Sequence, residues 1–345
     1  MRHLSPRPRF FVCLMLLLAL SPLLTPTRLD AAPAAIEVTN PGDSGPNTFR
    51  QALLDVTAGE TITFSPTAFP PGSPVVIPVR SPLPPLDDDD VTIDASAAGV
   101  LLDGSATPAN TDGLSVRADG CTLWGLTVQN FSRDGIVIEG GAVGNTIGGD
   151  RGAGAGPNGR GNRIVQNGAS GISVRGHSNA VRGNYIGVDP SGQWAQGNAL
   201  NGVAIWDGAS DNVIGGPASG DGNVISGNGE NGVWISGAGT ARNELLGNII
   251  GANRDGTAVV GQGMHGVTLA DGASDNRVGD DVAGARNVIG GNAHDGVLIT
   301  GAETMSNTVL GNYVGTNASG TAALPNGLHG LELTHGTHDN LVGGD

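Results

Sequence analysis

The chain has 345 residues with 59 glycines, 17 arginines and no lysine, 32 acidic residues, and only four Trp, two Tyr and six Phe, for a net charge of -15. A charged share of 14 %, against about 25 % in ordinary domains, excludes a coiled coil, so Val, Ile, Leu and Ala must build any core. Glycine without a three-residue period excludes collagen, the regular spacing of apolar residues argues against disorder, and the acid excess argues against DNA, RNA or an anionic membrane as partner.

Arg2, Arg7 and Arg9 precede an apolar run from Phe10 to Leu24, and small residues from Ala31 to Ala35 follow. This layout predicts a secretory signal peptide over 1–34, hence a secreted or cell-surface protein. A membrane anchor is the competing reading. The run is shorter than the ~20 residues a spanning helix needs, so no membrane span is expected after cleavage near Ala34. Cleavage leaves 13 arginines and 31 acidic residues, a net charge of about -18, and a single cysteine, Cys121, with no intrachain disulfide.

Residues 35–98 read as a cap with the first coils of a repeat. Thr48 and Gln51 have the spacing of a capping box, and Phe49, Leu53 and Val56 fall on one face of a short helix suited to covering the end of a solenoid. Asp87 to Asp90 reads as an exposed acidic turn. Calcium, at that turn or at the loops around Asp255, Asp280 and Asp281, is the one cofactor left open; no other cofactor and no metal site is predicted.

From residue 99 to 345 one frame recurs: polar, Gly, aliphatic, any, aliphatic. Its glycines are Gly113, Gly135, Gly171, Gly202, Gly232, Gly266, Gly296 and Gly330, and a longer period of 64 relates Asn184, Asn248 and Asn312. Alternate strand residues face opposite sides, so the first and third residues after each Gly predict a buried face. All sixteen are aliphatic, from Leu114/Val116 to Leu331/Leu333. The second and fourth predict a solvent face. A second family of short strands starts with Asn145, Asn212, Asn223, Asn243, Asn287 and Asn307. Two sets of loops, 150–161, 217–222 and 280–286, then 188–200, 252–264 and 316–328, predict two ridges. Two or three coils per 64 residues both remain open. The chain stops in phase with the repeat, which suggests truncation, with further repeats or another subunit covering the end.

The run N-x-I-x-G-N, then G-V-x-I, then G-A-S-x-N-x-I-G-G, over roughly residues 90 to 345, resembles the right-handed parallel β-helix repeat of the pectate-lyase-like superfamily. The segment from Thr48 to Phe64 is similar to the CSLREA-type region that often precedes such repeats in exported bacterial proteins. The resemblance implies an all-β, right-handed parallel β-helix with a short N-terminal capping helix. Asn110-Thr111-Asp112-Gly113 resembles the first catalytic motif of polygalacturonase-type glycosidases, but the partners that motif needs do not follow, and Asp112 is also the first copy of the frame.

Trp206 and Trp234 occupy outward positions on successive frames, where neighbouring indoles suit stacking on a sugar ring. They are the carbohydrate-binding candidates. The residue before each frame glycine forms a polar column that ends His265, Asp295, His329. If the frames stack as neighbours, the carboxylate sits between two imidazoles and raises their pKa, which makes a general acid/base or a metal site conceivable at these three, with His294 beside them, although two imidazoles and one carboxylate do not by themselves specify a metal. A structural polar column is the competing reading. With no Lys, a lyase would use an arginine such as Arg175 or Arg242 as base. No convergent catalytic set emerges, so the expected function is an exported surface or matrix protein that binds polysaccharide without catalysis. The alternative is a polysaccharide lyase or glycoside hydrolase.

Overall fold

Successive frames pair in parallel register: Ile172 with Val203, Val203 with Val233, Val233 with Val267, and Val267 with Val297. Parallel neighbours cannot be joined by a tight hairpin, so the chain must pass round other layers before it returns. In the computed structural model, which describes residues 35–343, it does so through three parallel sheets of eleven, nine and eight strands that close into a right-handed β-helix. The expected signal peptide, 1–34, lies outside the described residues. Among these, no helix is long and apolar enough to cross a membrane.

The 64-residue period is two coils, because Val213 pairs with Glu244 and Glu244 with Arg277. Each frame is therefore one coil. Inward side chains stack into continuous columns: Ile77, Leu102, Val128, Ile164, Ile186, Ile225, Ile250 and Ile289 in the nine-stranded sheet are all at most 1 % exposed. Burial of one such side chain is worth about 1.5–3 kcal/mol, and the columns make one core. Of the sixteen predicted inward residues, all but Leu331 and Leu333 are buried; these two belong to the last strand of their sheet, where Leu333 is 45 % exposed.

The predicted solvent face is only partly open. Val137, Ser173, Ala204 and Thr268, all second residues of the frame, are buried. They point away from the core yet are not free: Ser173 accepts from the Trp206 indole at 3.0 Å, and the Thr268 hydroxyl donates to Asn231 at 3.0 Å. The frame glycines are explained by contact between coils: a Cβ on Gly202 would lie 2.3 Å from Ile225 and 2.7 Å from the Gly232 carbonyl oxygen.

The helix, Phe49–Asp55, starts at Thr48, whose hydroxyl accepts from the Gln51 amide at 3.3 Å. The reciprocal half of the capping box is absent, since the Gln51 side chain donates to Asp55 at 2.8 Å. Phe49, Leu53 and Val56 are buried as expected, with the Phe49 ring 5.5 Å from Phe64.

The Asn-led strands are two families, not one. Asn145, Asn179, Asn212, Asn243, Asn276, Asn307 and Asn340 form one side-chain ladder beside the eleven-stranded sheet. Asn162, Asn184, Asn223, Asn248, Asn287 and Asn312 form another beside the nine-stranded sheet. Both sit at corners where the backbone turns and its polar groups would otherwise be buried unpaired.

Candidate functional site

The three outward columns of the eight-stranded sheet set the site. Parallel strands lie ~4.8 Å apart, so one residue type per coil becomes a line of side chains. The first column, Asp112, Asp134, Ser170, Asn201, Asn231, His265, Asp295 and His329, is held by hydrogen bonds. Asp112, Asp134, Asn201 and Asp295 each accept from the main-chain amide one coil further on, at 3.0, 2.8, 3.2 and 2.9 Å. That is the structural role expected of a polar column, and every functional reading of its members stands on top of it.

Trp206 and Trp234 meet in one open cleft with Arg133, Asp134, Ser173 and Arg175. Trp234 pairs across the strands with Ala204, two residues before Trp206, so the indoles are diagonal neighbours. Both are half-buried. The Trp206 indole N–H donates to Ser173 at 3.0 Å, and the Arg175 guanidinium lies over its ring at 4.5 Å. Arg175 is itself held by Glu139 at 3.3 Å. One face of Trp206 is thus occupied within the protein, which leaves Trp234 as the less engaged ring. Leu200, at the end of one 13-residue loop, also lines the cleft.

Asp134 is 7 % exposed, and burial pushes its carboxyl above the usual range; the Ser170 amide opposes this, and the neighbouring Asp112 adds to it. Arg133 lies 3.5 Å from Asp112. Asp112 therefore faces the same sheet surface, with Ser115, Arg117 and Glu139 along a shallow hollow. Of the two arginines named as bases, Arg175 is in the cleft. Arg242 is not: it makes a two-pronged ion pair with Asp211 at 2.7 and 2.8 Å.

His265, Asp295 and His329 come together as stacked neighbours. His265 Nδ1 lies 3.0 Å from one Asp295 oxygen and His329 Nδ1 lies 2.9 Å from the other. His294 packs edge-on against His265, with ring centroids 5.2 Å apart. The expected rise in pKa is not found for His265. Its burial lowers the pKa and outweighs the opposing pull of Asp295. Burial works against the charge of Asp295 too, yet the His329 amide and ring and the His265 ring hold its carboxyl below the usual range.

The acidic turn from Asp87 to Asp90 is exposed, and Asp87 approaches Arg117 at 3.8 Å. Among the described residues, the group spaced to hold a metal ion is elsewhere, at Asp295, His329 and Glu332. Cys121 is buried and its thiol is pushed up to about 11, mainly by that burial, so it is no nucleophile.

Two groups escaped the sequence reading. Glu332 follows His329 by three residues and joins the column only because the strand turns it to the same face. Trp194, 73 % exposed, sits on the first 13-residue loop, whose ridge is real: Gln193 contacts Asn253 at 2.7 Å and Asp255 at 3.0 Å on the loop two coils on. An aromatic in a long loop was the signal available.

No family model matches the sequence, and no curated protein matches it. Among solved structures, the chain is similar to pectate lyase Pel9A, with 15 % identity over 92 % of this chain and 80 % of that one and a TM-score of 0.53. It is also similar to the Azotobacter vinelandii mannuronan C-5 epimerase AlgE4 A-module, with 15 % identity over 84 % and 78 % of the two chains and a TM-score of 0.48. An alginate lyase from Paenibacillus sp. str. FPU-7 gives 15 % identity, 89 % and 95 % coverage and a TM-score of 0.45. The first of these likenesses shows a right-handed parallel β-helix, and shows the fold alone.

Proposed function

We propose that the protein is an exported surface or matrix β-helix that binds polysaccharide along the outer face of its eight-stranded sheet without cleaving it. The observation that carries this is the meeting of Trp206 and Trp234 in one cleft with Arg133, Arg175 and Ser173. Indole faces suit the C–H faces of sugar rings, and the polar groups around them suit hydroxyls and carboxylates. The layout of residues 1–34 supports secretion or display at the cell surface. The fold shared with a pectate lyase supports a polysaccharide as ligand.

A second reading, a polysaccharide lyase or glycoside hydrolase, is favoured by one observation: Asp134, a buried carboxyl raised above its usual range, opens onto the same cleft. A polysaccharide panel separates the two. Saturable binding with neither reducing-end release nor ultraviolet absorbance from unsaturated products supports the binder; product formation abolished by Asp134→Asn supports the enzyme.

A further inference from the structure

Beyond the cleft, the far end of the same sheet gathers nitrogen and oxygen donors in a way the polar column does not require. Asp295, His329 and Glu332 each present one ligand atom, and these atoms all lie within 4.8 Å of one another. His329 Nδ1 is 2.9 Å from Asp295 Oδ1 and 3.5 Å from Glu332 Oε2. Donors bound to a tetrahedral zinc ion at ~2.0–2.2 Å lie ~3.3–3.6 Å apart; the 3.5 Å spacing falls in that range, and the 2.9 Å one, a hydrogen bond in this structure, would open by about 0.4 Å on sharing an ion.

Asp295 is pre-positioned from two sides. Its Oδ1 accepts from the His329 amide at 2.9 Å, and its Oδ2 faces His265 Nδ1 at 3.0 Å. A carboxylate has about four lone-pair sites, so these contacts leave room for a further partner. The Asp295 side chain is only 1 % exposed, whereas those of His329 and Glu332 are 62 % and 36 % exposed, which keeps one side of the cluster open to solvent.

The charge balance points the same way. Two carboxylates meet here, and among the ion pairs of the described residues those that reach Asp295 and Glu332 come from histidines alone, with no arginine. A buried carboxylate needs a compensating positive charge. A dication supplies it without requiring both imidazoles to be protonated. Imidazole and carboxylate together select a borderline ion of the zinc type, because calcium takes six to eight oxygens.

We propose that Asp295, His329 and Glu332 form a binding site for a divalent transition-metal ion of the zinc class, with His265 orienting the Asp295 carboxylate. The fourth position faces solvent and is open to water or an anionic group. His294 packs on His265 and is not a ligand.

Calorimetric titration of chelator-treated protein with zinc chloride tests this. One site per chain is expected, weakened at least about tenfold in His329→Ala and in Glu332→Ala and unchanged in His294→Ala. Millimolar calcium should not compete. Both altered side chains are solvent-facing, and a melting curve matching the parent confirms that each variant is folded. In the parent, zinc should shift the ring resonances of His329, a readout that a purely structural column would not give. Absence of saturable binding up to about 1 mM zinc, or equal affinity in the folded His329→Ala/Glu332→Ala double variant, overturns the proposal.

Discussion

The main-chain amide and the side-chain amide of Asn212 both donate to one oxygen, Oδ1 of Asn243, at 3.1 and 2.9 Å. Asn243 in turn donates to the Ala209 carbonyl at 3.0 Å and to Asn276 at 2.9 Å. One buried side chain thus ties its own coil to groups on the two coils that flank it. Asn243→Ala should cost about 2–3 kcal/mol in urea unfolding, because it leaves the Asn212 main-chain amide and one hydrogen of its side-chain amide unpaired at a fully buried position, while the Ala209 carbonyl still accepts from the Ala241 amide at 3.2 Å. An exposed control, Ser219→Ala in a loop, should cost under about 1 kcal/mol.

Val267 is fully buried and Thr268, its neighbour, is 6 % exposed. Val267→Asp places an unpaired charge in a core a few side chains wide and should unfold or aggregate the protein. Thr268→Asp is not expected to be silent. The Thr268 hydroxyl donates to Asn231 Oδ1 at 3.0 Å, and an ionised carboxylate there has no proton to give. A loss of about 1–3 kcal/mol is expected for Thr268→Asp, with Thr268→Val at the lower end; soluble yield and chemical denaturation measure both.

Asp134 and Asp295 should respond to pH with opposite signs. The folded state raises the Asp134 carboxyl, so it binds a proton more tightly than the unfolded chain and loses stability as pH rises above the ordinary carboxylate range. The folded state lowers Asp295, whose contribution is present above that range and is lost as pH falls below it. Asp134→Asn keeps an oxygen to accept from Ser170 and removes the charge. It should raise the melting temperature at pH 7 and leave it unchanged near pH 3. An equal gain at both values would exclude ionisation as the cause.

The coils were legible because period-two aliphatic pairs and glycines recur at every frame, and both follow directly from parallel stacking. The polar column was legible too, down to the adjacency of His265, Asp295 and His329, once one frame is one coil. Two things were not. The burial of Thr268 on the outer face goes with a bond to Asn231 of the preceding coil, which alternation along a single strand does not contain. The contact of Arg175 with Trp206 joins residues on different coils with irregular loops between them, so only the register of Ser173 with Ala204 brings them together. Asn212 and Asn223 look alike in sequence, yet serve different sheets, because the corner that separates them is defined by the path of the whole coil.

The two tryptophans should not be equivalent. Trp206 is fastened by Ser173 and covered by Arg175, so Trp206→Ala removes a hydrogen bond and a cation–π contact as well as ring surface. It should lower the melting temperature together with any polysaccharide binding. Trp234 has the freer ring, and Trp234→Ala should weaken binding roughly tenfold with little change in stability, as one stacking contact is lost. Arg175→Ala separates ligand classes: it uncovers Trp206 and removes a cation from the cleft, so affinity for a uronate polymer should fall while affinity for a neutral glycan is kept or gained. Calorimetry and quenching of tryptophan emission, run on both ligand types, measure these effects. Unaltered affinity in the folded Trp234→Ala variant would remove the cleft as the binding surface and shift attention to the exposed Trp194 on the loop ridge.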